Sequence, residues 1–181
     1  NAIVRRTAAA GAEYFVNAGE AEQKGIETTI QYQLLQKNTG FVRSIQFNNS
    51  NSFQPYKFIN YTVGNTNFSG NSITGVPKQI HVFSIAIFMV NNIALNVQYN
   101  YTSTIPLTDA NDAFANDYRL LQLKISVPFN TKKMATQFFI GADNILNEQY
   151  SLGNDINAAG RRFYNPAPTR NYFAGCSIQL D

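Results

Sequence analysis

Asn171-Tyr172-Phe173-Ala174-Gly175-Cys176-Ser177-Ile178-Gln179-Leu180 is a stretch of ten residues whose character changes at every step. One set of alternate positions is mostly apolar, and the intervening set is mostly small or polar. Successive side chains of a β-strand point to opposite faces, so this period of two predicts a strand that lies between two different environments. Earlier stretches of the chain that alternate in the same way are its expected partners.

The same alternation recurs along the chain and is clearest over residues 93–102, where Leu95, Val97 and Tyr99 alternate with Asn96 and Gln98. Residues 41–47 alternate too, but Arg43 falls among the apolar positions. We interpret Arg43 as lying near a membrane surface, where its charged end reaches water. The predicted strands span residues 1–6, 25–36, 41–47, 79–89, 93–102, 117–129, 135–143 and 171–180.

The connections between these strands alternate between short turns and long polar loops. The short ones lie near residues 37–40, 90–92 and 130–133, and the long ones near residues 48–78, 103–116 and 144–170. Short turns at one end and long loops at the other are typical of outer-membrane β-barrels, in which every backbone group must pair within the sheet. The sequence therefore predicts an all-β fold: an antiparallel meander of about eight strands that forms part of a transmembrane β-barrel.

The composition narrows the possible functions. Charged residues make up 14% of the chain, well below the roughly 25% of soluble domains. The net charge is only +3, and no basic run is present, which argues against a nucleic-acid partner. With one histidine, His81, and one cysteine, Cys176, this chain lacks the residues for a His/Cys metal cluster or an internal disulfide.

Five segments resemble motifs of TonB-dependent outer-membrane receptors. The two specific ones are Gly141-Ala142-Asp143-Asn144-Ile145-Leu146-Asn147-Glu148-Gln149-Tyr150 and Arg162-Phe163-Tyr164-Asn165-Pro166-Ala167-Pro168-Thr169-Arg170-Asn171-Tyr172-Phe173-Ala174-Gly175. Weaker matches cover residues 17–27, 68–78 and 118–121. The chain departs from the family in having Thr169 where glycine is usual, and in ending on Leu180-Asp181, not on an aromatic residue. In the family, residues equivalent to 17–27 lie within one long strand, so we predict a strand at residues 20–24, although these alone would suit a helical turn.

The resemblance implies a function as well as a fold. Residues 1–181 would be the C-terminal segment of a receptor barrel whose plug domain and earlier strands are absent from this sequence. The implied location is the outer membrane of a Gram-negative bacterium. The implied activity is uptake of a scarce nutrient such as a ferric siderophore, with membrane lipid, the nutrient and TonB (through the missing plug) as partners. This segment would supply barrel wall and extracellular loops, with neither enzymatic activity nor a cofactor.

A few residues in the long loops are candidates for binding. Lys57, Arg161 and Arg162 carry positive charge suited to an anionic ferric chelate, and Tyr61 lies close to Lys57 in the sequence. Oxygen-bearing side chains also cluster in residues 108–117, which makes a calcium site one hypothesis and a plain solvated loop the favoured one; they are Asp109, Asn111, Asp112, Asn116 and Asp117. His81 is expected at a membrane interface or facing the lumen, and Cys176 among apolar surroundings.

Two alternatives remain open. An eight-stranded outer-membrane barrel enzyme acting on lipid would need a Ser/His pair at one rim, for which only His81 is available. A soluble carbohydrate-binding β-sandwich would bury the apolar faces of its strands against one another. The second alternative predicts a closed apolar core between two sheets.

Overall fold

One antiparallel sheet of seven long strands, which we call the main sheet, dominates the fold. The computed structural model describes residues 3–8, 11–17, 19–131 and 134–180. The strands are β1 (Ile26–Gln36), β2 (Val42–Phe53), β3 (Gln79–Met89), β4 (Ala94–Thr102), β5 (Tyr118–Asn130), β6 (Met134–Asp143) and β7 (Asn171–Leu180). Each pairs with the next in this order, so the sheet is a meander. The predicted all-β, antiparallel fold is confirmed.

Short strands and turns complete the secondary structure. Five two-stranded ribbons pair Ile3–Thr7 with Glu13–Asn17, Glu20–Glu22 with Lys57–Asn60, Thr62–Val63 with Thr66–Asn67, Ile105–Pro106 with Phe114–Ala115, and Ser151–Asn154 with Tyr164–Pro166. Among the described residues the helical elements are two 3₁₀ turns, Val90–Asn92 and Ala159–Arg161. Nowhere in the described ranges is there a helix with the length and hydrophobicity needed to span a membrane.

The strand register places nearly all apolar alternate positions on a single face of the main sheet. One complete row across the seven strands is Tyr32, Phe47, Ile85, Val97, Leu123, Ala142 and Tyr172. The adjacent row, one residue away along each strand, points to the opposite face and consists of Gln33, Gln46, Ala86, Asn96, Lys124, Gly141 and Phe173. Because the period of two is kept in register from strand to strand, the sheet has an apolar face and a polar face.

The connections confirm the predicted alternation of lengths. Residues 37–41 and 90–93 make short turns, and only three residues separate the end of β5 at Asn130 from the start of β6 at Met134. Gly40 in the first turn has a φ of 100°, which favours glycine. The long connections are loop 1 (residues 54–78), loop 2 (residues 103–117) and loop 3 (residues 144–170). Since neighbouring strands run in opposite directions, all three long loops emerge at the same end of the sheet, which we call the loop end.

The buried apolar residues lie in the loops and not in the sheet. The described hydrophobic residues that are buried are Phe58, Tyr61, Ile73, Leu107, Ala115 and Phe163, all in loops 1 to 3. The apolar face of the sheet is open to its surroundings: Ile30 is 57% exposed, Ile140 60% and Ile178 57%. No second sheet covers this face in the part of the chain that the structure describes. The closed core of a β-sandwich is therefore not present there.

The prediction of one long continuous strand through residues 20–24 is wrong, because the strand is interrupted there. The segment is extended and not helical, but it forms a short strand, Glu20–Glu22, that pairs with Lys57–Asn60 outside the main sheet. Gly19 has a φ of 68°, and a Cβ on Gly25 would lie 2.6 Å from the Phe53 carbonyl oxygen. These glycines allow a left-handed turn and a close backbone approach, which divide the run into separate strands. Ala18, within the same motif, lies outside the described residues.

The structure also corrects the pairing of the first predicted strand and explains the misfit of Arg43. The strand predicted at residues 1–6 is observed as Ile3–Thr7, but it pairs with Glu13–Asn17 and not with the main sheet, which has seven strands. Arg43 is the extra residue of a β-bulge between β2 and β3, where the register shifts between Val42 and Ser44. A bulge re-aims the side chains beside it, so Arg43 interrupts the apolar alternation at the turn end. Asn1, Lys132, Lys133 and Asp181 are outside the described residues.

Candidate functional site at the loop end

The three long loops pack into one structure above the loop end of the sheet. In loop 1, Phe58, Tyr61 and Ile73 form a buried apolar cluster, and the Phe58 and Tyr61 rings are 4.7 Å apart between centroids. A second cluster joins Leu107 and Ala115 of loop 2 to Phe163 of loop 3. Burial of aromatic side chains removes a large apolar area from water. The loops therefore have cores of their own.

Asp109 of loop 2 is the polar centre of this structure. Its side chain is buried, with 1% of the residue exposed. The Tyr61 hydroxyl donates to Oδ2 at 3.0 Å, while the Thr74 hydroxyl and the Asn157 amide donate to Oδ1 at 2.5 and 3.1 Å. A buried polar group is costly unless hydrogen bonds satisfy it, and three donors do so here. One carboxylate thus links loop 2 to both loop 1 and loop 3.

Further hydrogen bonds near Asp109 join loop 2 to loops 1 and 3, with donors on both sides. The Asp109 backbone N–H donates to the Asn157 side-chain oxygen at 3.0 Å. The Asn71 side-chain amide donates to the Asp109 backbone carbonyl at 2.7 Å. Asn111 accepts from the Ser72 N–H at 2.8 Å and donates to the Ser72 carbonyl at 3.1 Å. Paired amide contacts of this kind hold both position and orientation, so the loops form a defined platform.

The structure separates the four predicted ligand residues into surface and interior groups. Lys57, Arg161 and Arg162 are exposed, and Arg161 pairs with Asp112 at 2.8 Å. Tyr61 is 3% exposed and bonds to Asp109, so its hydroxyl already serves the loop platform. Lys57 belongs to loop 1, whereas the two arginines belong to loop 3. Binding of a ligand by these residues stays a prediction.

The acidic segment of loop 2 divides its carboxylates among different partners. Asp112 accepts from the Thr108 hydroxyl at 2.6 Å, and Asp117 pairs with Arg119 at 2.9 Å. The hydrogen bond from Thr108 and, to a smaller extent, the charge of Arg161 hold the pKa of Asp112 below its ordinary value of 3.8. No group of three or more acidic, histidine or cysteine side chains suited to a metal occurs among the described residues. The carboxylates considered for calcium are thus engaged by protein donors.

The structure contains a cleft between loops 2 and 3 that the sequence did not predict. It has a volume of about 320 Å³, and its walls include Tyr118, Tyr150 and Tyr164 together with Asn116 and Asn154. The Tyr118 and Tyr150 rings are 5.0 Å apart between centroids. Aromatic faces beside amides suit a ligand that has both apolar and hydrogen-bonding surface. The abundance of tyrosine is visible in the sequence, but the convergence of these three is a property of the fold.

His81 lies on the apolar face of the main sheet, near the loop end. Its Nδ1 is 2.7 Å from the Asn51 side-chain oxygen, and its ring stacks on Tyr101 with centroids 5.7 Å apart. The register continues this row from Asn51, His81 and Tyr101 to Arg119, whose guanidinium carbon is 5.4 Å from the Tyr101 ring centre. The apolar face therefore ends in a polar and aromatic row. His81 therefore lies on the apolar and not on the polar face of the sheet, and its placement at a membrane interface or a lumen stays a prediction.

Asn144 has a structural role at the end of a strand, and Cys176 lies on one face of the sheet. Asn144 follows the last residue of β6 with a φ of 50°, accepts from the Glu148 N–H at 2.8 Å and donates to the Glu148 carbonyl at 2.8 Å. It therefore ends the strand by satisfying loop backbone groups. Cys176 lies on the apolar face and is exposed.

The fold of this chain resembles that of a known protein. No family model matches the chain. The chain is similar in structure to the siderophore receptor PiuA from Acinetobacter baumannii, with a TM-score of 0.66 and 13% sequence identity over 97% of this chain and 24% of that one. The chain has the fold of part of that receptor. It spans about a quarter of the receptor's length, and at this identity the likeness concerns the fold.

Proposed function

We propose that this chain is the C-terminal wall and loop segment of a TonB-dependent outer-membrane receptor that takes up a scarce nutrient such as a ferric siderophore. The observation that carries the proposal is the exposed apolar face of the main sheet, whose long loops all emerge at one end. The structural similarity to a siderophore receptor supports the same assignment. TonB acts in such a receptor through the plug domain, so its contact lies outside residues 1–181.

Lipid explains why the apolar face has no protein cover. A large exposed apolar patch on a soluble protein promotes association, whereas the outside of a membrane barrel must be apolar. The polar face then lines the lumen, and its rows of glutamine, asparagine and serine meet water. The row of Asn51, His81, Tyr101 and Arg119 lies at the membrane interface, where aromatic and basic residues are enriched.

The loop platform is the part of the segment that meets the nutrient. Asp109 holds the three loops together, which positions Lys57 and Arg162 as exposed charges and Tyr118, Tyr150 and Tyr164 as the walls of a cleft. A platform with prearranged groups loses less entropy on binding than mobile loops do. No proton-transfer or nucleophilic step is assigned to this segment, which acts by binding and by forming the wall.

The lone cysteine provides the decisive test, because Cys176 and Ser177 are neighbours on opposite faces. The chain is reconstituted into lipid vesicles and treated with a charged, membrane-impermeant maleimide. We expect Cys176 to be protected, whereas Ser177→Cys in a Cys176→Ala background reacts from the water-filled side. Rapid labelling of Cys176, together with solubility of the chain in buffer without detergent, would contradict the proposal.

The alternative functions gain no support from the described residues. His81 contacts Asn51 and Tyr101, neither of which is a serine nucleophile. A carbohydrate-binding sandwich needs a second sheet over the apolar face, and the described chain places none there. The receptor assignment accounts for the open apolar face without an additional layer.

A further inference from the structure

A groove on the apolar face lies over β6, with β5 and β7 on either side. One positively charged residue, Arg170, lies at its loop end. The groove measures about 440 Å³, and its walls and floor include Leu123, Ile125, Ile140, Ala142 and Tyr172, with Arg170 at the loop end. Register explains its shape: Ala142 lies between the larger Leu123 and Tyr172 in one row. A small residue between two large ones leaves a depression in the apolar face at this row.

Arg170 is held in place by its neighbours in loop 3. Its Nε donates to the Ile145 carbonyl at 2.8 Å, and its backbone N–H donates to the Asn147 side-chain oxygen at 3.2 Å. The two terminal nitrogens of its guanidinium have no partner among the described residues, and the residue is exposed. A guanidinium whose Nε is fixed presents the remaining N–H groups as a fork, which matches the oxygens of a phosphate.

Charge and hydrocarbon surface therefore meet in one groove. We propose that it binds an anionic membrane lipid that carries phosphate, with the phosphate on Arg170 and one acyl chain lying over Ala142. This inference rests on the proposed function, because it requires the apolar face to meet lipid. A free phosphate would leave the apolar floor unused, and an uncharged hydrocarbon would leave Arg170 unused. Arg119 on the same face differs, since Asp117 and Tyr101 already engage it.

The chain contains no tryptophan, so a single tryptophan reports on one place. Tyr172→Trp puts the reporter in the groove wall, and Phe138→Trp puts it on the same face nearer the turn end, where Phe138 is 52% exposed. Each variant is reconstituted in phosphatidylcholine with a small fraction of lipid brominated in its acyl chains, either phosphatidylglycerol or phosphatidylcholine. Bromine quenches fluorescence on contact, so the ratio of the two quenching strengths measures lipid preference.

We expect the Tyr172→Trp reporter to prefer the anionic lipid about fivefold, the contribution of one basic residue at a membrane surface. Arg170→Gln in that background should remove the preference while leaving quenching by brominated phosphatidylcholine unchanged, which shows that the chain remains folded and inserted. The matched Arg119→Gln variant should keep the preference, and the Phe138→Trp reporter should show none.

Two results overturn the lipid site: equal quenching by both lipids at the groove reporter while Arg170 is present, or a preference that survives Arg170→Gln. A different result overturns the proposed function itself. If neither brominated lipid quenches either reporter, the apolar face does not meet lipid at all. The two failures are therefore distinguishable in a single set of measurements.

Discussion

At the scale of the residue, Asp109 shows how one buried acidic side chain can organise several loops. Its carboxylate accepts hydrogen bonds from Tyr61, Thr74 and Asn157, which come from two different loops. Burial of a carboxylate is costly unless donors satisfy it, and these donors in turn lose their partner if the carboxylate is removed. The contacts are thus specific as well as stabilising.

Asp109→Ala should loosen the loop platform without unfolding the main sheet. Tyr61, Thr74 and the half-buried Asn157 would all lose this acceptor, and a buried donor left unsatisfied costs about 1–3 kcal/mol. Hydrogen exchange measures the effect at the amides of Gly75 and Asn157, which bond to the carbonyls of Pro106 and Leu107. We expect faster exchange at both sites and unchanged exchange in β4. Asp112→Ala, which removes an exposed carboxylate, is the control and should leave both amides protected.

Thr108→Val should raise the pKa of Asp112 toward 3.8, because the Thr108 hydroxyl is the main cause of its lowering. A carboxyl whose pKa is lowered by folding stabilises the fold above its unfolded pKa. That contribution is lost as the pH falls through the lower, folded value. Carbon-13 NMR titration of the Asp112 carboxyl measures the shift, and Arg161→Gln should move it less. An unchanged titration in Thr108→Val would contradict this assignment.

At the scale of the element, register turns seven alternating strands into two faces of opposite character. Apolar residues pair with apolar residues across neighbouring strands, as Val97 does with Ile85 and Leu123. Polar residues pair with polar residues, as Gln98 does with Ser84 and Gln122. A slip of one residue would exchange the two faces. Bulges at Leu34 and Arg43 are confined to the turn end of β1 and β2, so the register of the central strands is unaffected.

Val97 and Gln98 offer a matched comparison, since they are neighbours on β4 with similar, partial exposure. Val97→Arg should destabilise the membrane-inserted chain by about 2–4 kcal/mol, the cost of arginine near the bilayer midplane. Gln98→Arg faces the lumen and should cost much less. Denaturant unfolding in lipid vesicles compares the two variants. Equal costs, or a larger cost for Gln98→Arg, would mean that the faces are assigned the wrong way round.

At the scale of the whole molecule, the sheet and the loops have opposite arrangements of apolar residues. The sheet exposes its apolar face, whereas the loops bury theirs in clusters around Phe58 and Leu107. This division suits a wall in lipid that carries a platform in water. The exposed positive charges Lys57 and Arg162 lie on that platform, at the end of the molecule opposite to the Lys37 turn.

Charge reversal tests whether the platform meets an anionic nutrient. Arg162→Glu should weaken binding of an anionic ferric chelate about two- to fivefold, as expected for one exposed charge. Lys57→Glu should act in the same direction, and both effects should shrink as salt is raised. Equilibrium titration of the chelate on cells or vesicles carrying the receptor measures the affinity. Lys37→Glu at the opposite end is the control, and an equal loss there would mean a non-specific charge effect.

The sequence by itself determined the all-β class, the strand alternation and the order of short and long connections, because a period of two and turn residues act over a few neighbouring positions. It placed β3 and β7 at their observed bounds. Only the tertiary structure decided that Asp109 links three loops, that Tyr61 is buried, that residues 20–22 leave the main sheet, and that Arg170 heads a groove. Each of these depends on contacts between residues far apart in the chain, which local patterns do not encode.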